Sequence, residues 1–382
     1  MNVLVINSGS SSLKFKIIEP KKKNVLFYGH IDGIGRENCL IKTNGKAEKK
    51  KVRDHTDAVR IALGLVDDIR IDAVGHRVVH GAEKYDKAVR IDAQTIRAIE
   101  KLCELAPLHN PPNLAGIKAC KKALGTVAHY AVFDTAFHQS MPKENYLYAI
   151  PDEFYTRYGI RKYGFHGTSH KYVAQESAKL LGKRKISMIS CHLGNGSSIC
   201  CIEKGKSKDT SMGFTPLQGL IMGTRSGDID PEVVAMLCHK LKKDPDDVIE
   251  ILNKRSGLMA IAGTPDVREI FERSKKKDKR AELALKMLAA RISFYILGYA
   301  SQIKTIDAIA FTAGIGQGAY YLRKSVCERL SPIGVTIDVQ KNKKAVDDTI
   351  TLISSKDSKV KILVIPADEE LMIAQEVADA ML

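Results

Sequence analysis

The chain has 382 residues, is 44% apolar and carries a formal charge of +16. That length suits about two domains, and that composition suits a globular protein with a true core rather than a disordered or fibrous chain. No run approaches the roughly 20 apolar residues that span a bilayer. The N-terminus enters a strand without a basic region or a small-residue cleavage site, so a soluble, cytoplasmic chain with no membrane partner is expected.

The positive charge raises nucleic acid as a partner, but the lysine clusters at Lys21–Lys23, Lys49–Lys51 and Lys275–Lys277 fall between predicted elements with no aromatic residues interleaved for base stacking. A solvated basic surface that draws in anionic substrates fits better, and no nucleic-acid partner is expected. The eight cysteines form no C-x-x-C pair and read as buried thiols in a reducing compartment.

In chain order, Val3–Ile6 and Leu13–Ile18 are apolar runs around a Gly/Ser/Asn tip at Asn7–Ser12, which predicts a β-hairpin. Such a tip either wraps an anion with its backbone N–H groups or is an ordinary polar turn. Residues 24–32 read as a strand and 37–52 as a hairpin turning at Asn44-Gly45. A helix over 56–66 capped by Thr56, a strand over 71–79, helices over 92–105 and 111–124, and a strand over 127–133 follow. Asp134 closes that strand, at the end where ligand-facing residues of α/β sheets collect.

Residues 146–164 are loop-rich, and Phe165–His170 precede a helix to about Leu181. Residues 186–203 repeat the first hairpin, with a tip at Gly194–Ser198. The Gly-rich stretch 214–231 is too long for a simple connector, and Asp230-Pro231 caps a helix to Leu241. A helix over 279–304 leads to a strand over 306–311 that resembles 71–74, then to a Gly-rich loop at 312–318, a strand over 361–366 and a last helix opened by Asp368, Glu369 and Glu370. Strands, Gly-rich loops and helices given twice predict two α/β domains with a cleft between them.

Phosphoryl transfer needs phosphates held by backbone N–H groups, cations on the equatorial oxygens, a metal ion and an acceptor in line. The two tips supply the first need, Arg77 and Arg225 the second, and Asn7, Asp134 or Glu369 oxygen ligands for Mg²⁺. There is no Walker-A loop, and Gly314-Ile-Gly316 lacks the rest of a dinucleotide fingerprint.

The segments Asn7-Ser-Gly-Ser-Ser-Ser-Leu-Lys14, Gly75-His-Arg-Val-Val-His-Gly81, Ala106-Pro-Leu-His-Asn-Pro-Pro-Asn-Leu114, Val132-Phe-Asp-Thr-Ala-Phe-His138, Tyr163-Gly-Phe-His-Gly-Thr-Ser-His170, His192-Leu-Gly-Asn-Gly-Ser-Ser198, Gly223-Thr-Arg-Ser-Gly-Asp-Ile-Asp-Pro231 and Thr312-Ala-Gly-Ile-Gly316 resemble the acetate kinase family, in the family's order and over nearly the whole chain. The resemblance implies an α/β fold of two duplicated ribonuclease H-like (actin-like ATPase) domains around a nucleotide cleft. The first domain would be residues 1–138 with 370–382, the last helix returning to it, and the second 139–369. It implies a homodimer that transfers phosphate reversibly from ATP to acetate, giving ADP and acetyl phosphate. Mg²⁺ would assist, with Mn²⁺ as the alternative.

By the same resemblance, Asn7 and Glu369 position the metal, Asp134 is the essential aspartate, Arg77 binds the acetyl substrate, and His166 and Arg225 stabilise the moving phosphoryl group. ATP would be held by Lys14, by His192, Leu193, Gly194, Asn195 and Gly196, by Asp266, Val267 and Arg268, and by Gly314, Ile315, Gly316, Gln317 and Gly318. Val79, Leu108, Phe165 and Pro216 would form the pocket for the acetate methyl. Three positions depart from the family pattern: Gln317-Gly318 replaces Glu-Asn, Asp368 replaces Asn, and Ala82 replaces Gly. The rival readings are a propionate or butyrate kinase on the same scaffold, a non-catalytic ATP-driven switch and, last, a nucleic-acid binder.

Overall fold

A computed structural model describes residues 1–107, 109–346 and 348–382. It divides into two compact units, Met1–Gln139 with Asp368–Leu382, and Ser140–Ala367.

The first unit is built on an eight-stranded sheet. Its strands are β1 (Val3–Ser8), β2 (Ser12–Glu19), β3 (Asn24–Asp32), β4 (Cys39–Thr43), β5 (Lys46–Lys50), β6 (Ala73–Val78), β7 (Val89–Arg90) and β8 (Ala128–Phe133), in the order β5-β4-β3-β2-β1-β6-β8-β7. The hairpin read from the sequence is present: β1 and β2 pair antiparallel from Val3 opposite Ile18 to Ser8 opposite Leu13. β1 then pairs parallel with β6, and β6 with β8, so three strands end at the same edge.

One face of this sheet buries Leu4, Ile6, Leu13, Phe15 and Ile17 against Ala58, Val59, Ala62, Ala119 and Cys120 of the helices His55–Gly64 and Asn110–Ala123. The cap of the first of these helices is Asp54, whose carboxylate accepts from Asp57 N at 2.8 Å, not Thr56. The last helix, Glu369–Ala380, packs on the other face. Gly75 makes room for it, since a Cβ there would lie 2.9 Å from both Ile373 Cγ2 and Val377 Cγ2.

The second unit repeats the plan with β9 (Met188–Leu193), β10 (Ser197–Glu203), β11 (Lys206–Thr210), β12 (Ala308–Thr312), β13 (Thr351–Leu352) and β14 (Lys361–Val364), in the order β11-β10-β9-β12-β14-β13. The antiparallel hairpin β9–β10 continues into parallel pairings of β9 with β12 and β12 with β14, as β1–β2 continues into β6 and β8. The weak echo between residues 71–74 and 306–309 is therefore a structural equivalence of β6 and β12.

The faces of β9 divide by residue type. Ile189, Cys191 and Leu193 join the apolar core, while Ser190 and His192 lie on the opposite face by the alternation of the strand. The helix Lys279–Ala300 is long and apolar enough to cross a bilayer by length and composition. It buries Ala281, Ala284, Leu288, Ile292 and Ile296 in that same core, as a core helix does.

Two loop predictions differ from the structure. Residues 313–318 are a short helix, Ala313–Gly318, entered through Ala313 at a φ of 63°. The helix expected after His170 begins at Gly167, which places Ser169 and His170 in its first turn.

Candidate active site

In the first unit, the C-terminal ends of β1, β6 and β8 bring together Asn7, Arg77 and Asp134, and the start of the last helix adds Glu369. Asp134 is 1% exposed and pairs with Arg77 Nη2. Arg77 Nη1 donates to Asn7 Oδ1 at 3.5 Å, and its Nε lies 3.6 Å from Glu369 Oε2. Burial disfavours the guanidinium charge, but Asp134 and Glu369 outweigh it and its pKa is raised.

Glu369 shows the opposite balance. Burial, with Asp134 and Glu370 nearby and only Arg77 and Lys14 opposing, pushes its carboxyl from 4.5 up to about 7. Asp134 Oδ1 is buried without a hydrogen-bond partner among the described residues. The set thus holds more negative charge than its arginine neutralises.

The loop after β6 is positioned by side chains absent from the sequence-based site: Asn113 Oδ1 accepts from Val79 N and Asn110 Oδ1 from His80 N, each at 3.0 Å. Both asparagines sit on the helix that Pro111-Pro112 opens, so the Asn-Pro-Pro-Asn spacing was the available signal. Ala82 follows with a φ of 48°, where glycine is at ease and alanine carries strain of roughly 1 kcal/mol. Asp368 caps the last helix by accepting from Leu371 N at 3.1 Å, and Lys16 pairs with both Asp368, at 3.4 Å, and Glu370, at 3.2 Å. The added negative charge at residue 368 is thereby offset.

In the second unit, His166 has a left-handed backbone, φ 56°, at the N-cap of the helix Gly167–Leu180. Left-handed non-glycine residues of this kind collect at functional sites. Its Nδ1 is hydrogen-bonded to Ser198 Oγ at 2.9 Å, and its ring stacks on His192 with centroids 4.1 Å apart. A Cβ built on Gly196 would lie 3.4 Å from Arg225 Nη1 and 3.6 Å from His166 Nε2, so both donors face the tip of the second hairpin. Arg225 Nη1 donates to Pro216 O at 3.3 Å and to Met222 Sδ at 3.8 Å, and has no carboxylate partner among the described residues. Burial alone shifts it, downward. Such a cation is available to an anion.

Beside the tip lies a cavity of about 440 Å³, within the range of nucleotide-sized pockets. Gly194 and Asn195 line it, as do Asp266, Val267 and Arg268, and Gly314, Ile315 and Gly318, so three predicted segments meet there. His192, Leu193, Gly196, Gly316 and Gln317 are not among its lining residues. Gln317 Oε1 accepts from Ala367 N at 3.4 Å.

Sequence reasoning missed Tyr321, which lines the cavity, stacks on Phe271 at 3.5 Å and donates to Val267 O at 2.9 Å. It also missed Arg323, fully buried, whose donors reach Gly316 O, Gln317 O, Asn342 and Ala345 O and so hold the end of the short helix 313–318. A charged residue in a helix carries no sequence sign that it will be buried. Lys14 lies on β2 in the first unit, near enough to Glu369 to lower its pKa. Of the apolar pocket, Val79 is in the first unit, Phe165 and Pro216 are in the second, and Leu108 lies outside the described residues.

The acetokinase family model matches residues 2–375. The chain belongs to the acetokinase family. It is 47% identical to a protein named acetate kinase from Carboxydothermus hydrogenoformans, over 98% of each chain. Among solved structures it resembles the acetate kinase of Porphyromonas gingivalis, with a TM-score of 0.94, 39% identity and all of both chains covered. It equally resembles a propionate kinase of Francisella tularensis, with a TM-score of 0.94, 41% identity and 98% of each chain covered. The α/β plan with two related sheets is thus that of the family, within the actin-like ATPase class.

The raised Glu369 carboxyl gives a pH test in metal-free protein. A carboxyl whose pKa is higher folded than unfolded binds more protons when folded, so stability falls as pH rises from 4.5 to about 7 and levels off above. The urea midpoint of the wild type is therefore expected to fall relative to that of Glu369→Gln as pH rises across that window, the depressed histidines His76, His80 and His129 contributing equally to both proteins. Parallel pH profiles in the two proteins would mean that Glu369 does not titrate there.

Proposed function

We propose that the chain catalyses the reversible, Mg²⁺-dependent transfer of the γ-phosphoryl group of ATP to acetate, giving ADP and acetyl phosphate by one in-line displacement. The observation that carries this reading is Arg225, half-buried, without a carboxylate partner among the described residues, and facing Gly196 alongside His166 Nε2. A phosphoryl group in transfer spreads negative charge over three equatorial oxygens, and preorganised donors of this kind stabilise it. Membership of the acetokinase family and the names of its relatives supply the acceptor.

In this reading the cavity by Gly194, Asp266 and Gly314 takes the nucleoside, and the Asn195-Gly196 tip meets its phosphates. Arg77 holds the acceptor carboxylate, its Nε having no hydrogen-bond partner among the described residues. Asn7 and Glu369 would hold Mg²⁺, and Asp134 would help to orient it. The fit rests on the unpartnered Asp134 Oδ1 and the under-neutralised Glu369. No group of three or more His, Cys, Asp or Glu forms a metal cage among the described residues, which suits an ion that takes one or two carboxylates and leaves the rest to phosphate and water. When bound, the ion would neutralise phosphate charge. The acceptor carboxylate is already ionised near neutral pH, so no strong general base is required.

The partner in this reading is a second copy of the chain. The helix Pro231–Leu241 has no buried residue yet carries Val233, Met236 and Leu241, and Phe294 is 65% exposed. Eight free thiols suit the reducing cytoplasm. Sedimentation as a monomer at micromolar concentration would refute the dimer.

Acyl phosphate trapped as hydroxamate, with ATP and Mg²⁺ and with acetate, propionate and butyrate in parallel, tests the reaction. Turnover is expected to be highest with acetate. Val79→Ala should move preference toward propionate by about 10-fold, since a methylene in an apolar pocket is worth about 1–3 kcal/mol. ATP hydrolysis indifferent to all three acids would overturn the reading in favour of a nucleotide-driven switch.

A further inference from the structure

The polar face of β9 and β10 meets the first turn of the helix Gly167–Leu180 in a layer of histidines and serines. Ser190 Oγ lies 2.9 Å from His170 Nδ1, and His170 Nε2 lies 2.8 Å from Ser198 Oγ. Ser198 Oγ lies in turn 2.9 Å from His166 Nδ1. Ser190, His170 and Ser198 are each 0% exposed. Ring hydrogen bonds have a direction, and the buried end of this chain sets it.

The Ser190 hydroxyl has one partner among the described residues, His170 Nδ1. It must donate there, because the reverse arrangement strands a buried O–H without an acceptor. His170 Nδ1 therefore accepts, and its proton sits on Nε2 and goes to Ser198 Oγ. Ser198, with one hydrogen and two histidine neighbours, then donates to His166 Nδ1. The proton of neutral His166 is left on Nε2, the atom that faces Gly196 beside Arg225 Nη1. Stranding the Ser190 hydroxyl biases the reversed arrangement downward on the order of 10-fold or more.

A second hydroxyl gives the same answer for the neighbouring ring. Ser169, also 0% exposed, has His192 Nδ1 at 2.8 Å as its side-chain partner, so it donates and leaves His192 protonated on Nε2. His192 stacks on His166 at 4.1 Å. Two neutral rings tolerate that stacking, whereas two cations would repel.

We propose that Ser190, His170 and Ser198 form a one-way hydrogen-bond relay that fixes His166 as the neutral Nε2–H tautomer, which makes His170 and Ser198 positioning residues for phosphoryl transfer. The proposal rests on the reading that His166 donates to the transferring group. No proton travels along the relay during the reaction. It presets a donor, so that no tautomer change is needed when the phosphoryl group arrives, and the left-handed backbone of His166 aims that donor.

The test is the two-bond ¹⁵N–¹H spectrum of the full-length protein labelled with ¹⁵N-histidine, the His166 signals being assigned by their loss in His166→Gln. His166, His170 and His192 are all expected to show the Nε2–H pattern. An Nδ1–H or exchange-averaged pattern at His166 overturns the relay, and this readout needs no relay variant to fold. Ser198→Ala should turn the His166 pattern into an average and lower kcat on the order of 10-fold, with the KM values for ATP and acetate within about 2-fold. Ser198→Thr, which keeps the hydroxyl, should restore both. An unchanged tautomer and kcat in Ser198→Ala would refute the relay. Full activity in His166→Gln would instead refute the catalytic reading of His166, whatever its tautomer, so the two failures are distinguishable.

Discussion

Everything chemical in this protein depends on parallel pairing beside an antiparallel hairpin. Because β1, β6 and β8 run the same way, Asn7, Arg77 and Asp134, which are 57 residues apart in the case of the Arg77–Asp134 pair, arrive at one edge of one sheet. The same pairing of β9, β12 and β14 delivers His192, the Gly194–Gly196 tip and the Gly314 segment to one edge of the other. In α/β sheets that edge carries backbone N–H groups and helix starts, the groups an anion needs. The hairpin adds a short tip whose small residues let side chains from elsewhere approach. Gly196, between His166 and Arg225, is the clearest case.

The two units solve opposite electrostatic problems. The first sets Asp134 and Glu369 against one arginine, with Glu370 paired to Lys16 beside them, so that Glu369 rises toward neutrality and Asp134 keeps an unpartnered oxygen. That imbalance favours a cation. The second holds Arg225 without a carboxylate partner among the described residues, facing the Gly196 tip that His166 also faces, which favours an anion. A phosphotransferase needs both, and neither arrangement costs a general base, because a carboxylate acceptor is a nucleophile without help.

The sequence made the hairpins legible because alternation and Gly/Ser tips leave a local trace, and both pairings follow it. The acids and arginines of the site stood out because they follow strand ends and glycines. The resemblance to a known family supplied the roles, which patterning alone does not. What stayed hidden was non-local. Arg323 looks like any helical arginine until its partners at residues 316, 317, 342 and 345 are brought in by the fold. Tyr321 became a cavity wall through its stack on Phe271, some fifty residues earlier. Gln317 gave no sign that its Oε1 accepts from Ala367 N, fifty residues later. His170 seemed to precede a helix and instead sits inside its first turn, three residues after its start, where it reaches Ser190 and Ser198.

The central claim is that the phosphoryl group passes directly from ATP to the acceptor carboxylate, with side chains only stabilising it. Two carboxylates, the buried Asp134 and the half-buried Glu369, are the obvious places for a covalent phosphoryl-enzyme if the claim is wrong. The stereochemical course with ATP made chiral at the γ-phosphorus by oxygen isotopes decides between them. One direct in-line displacement inverts the configuration at phosphorus in acetyl phosphate, which is the predicted result. Retention would require two displacements through a phosphorylated side chain and would contradict the account.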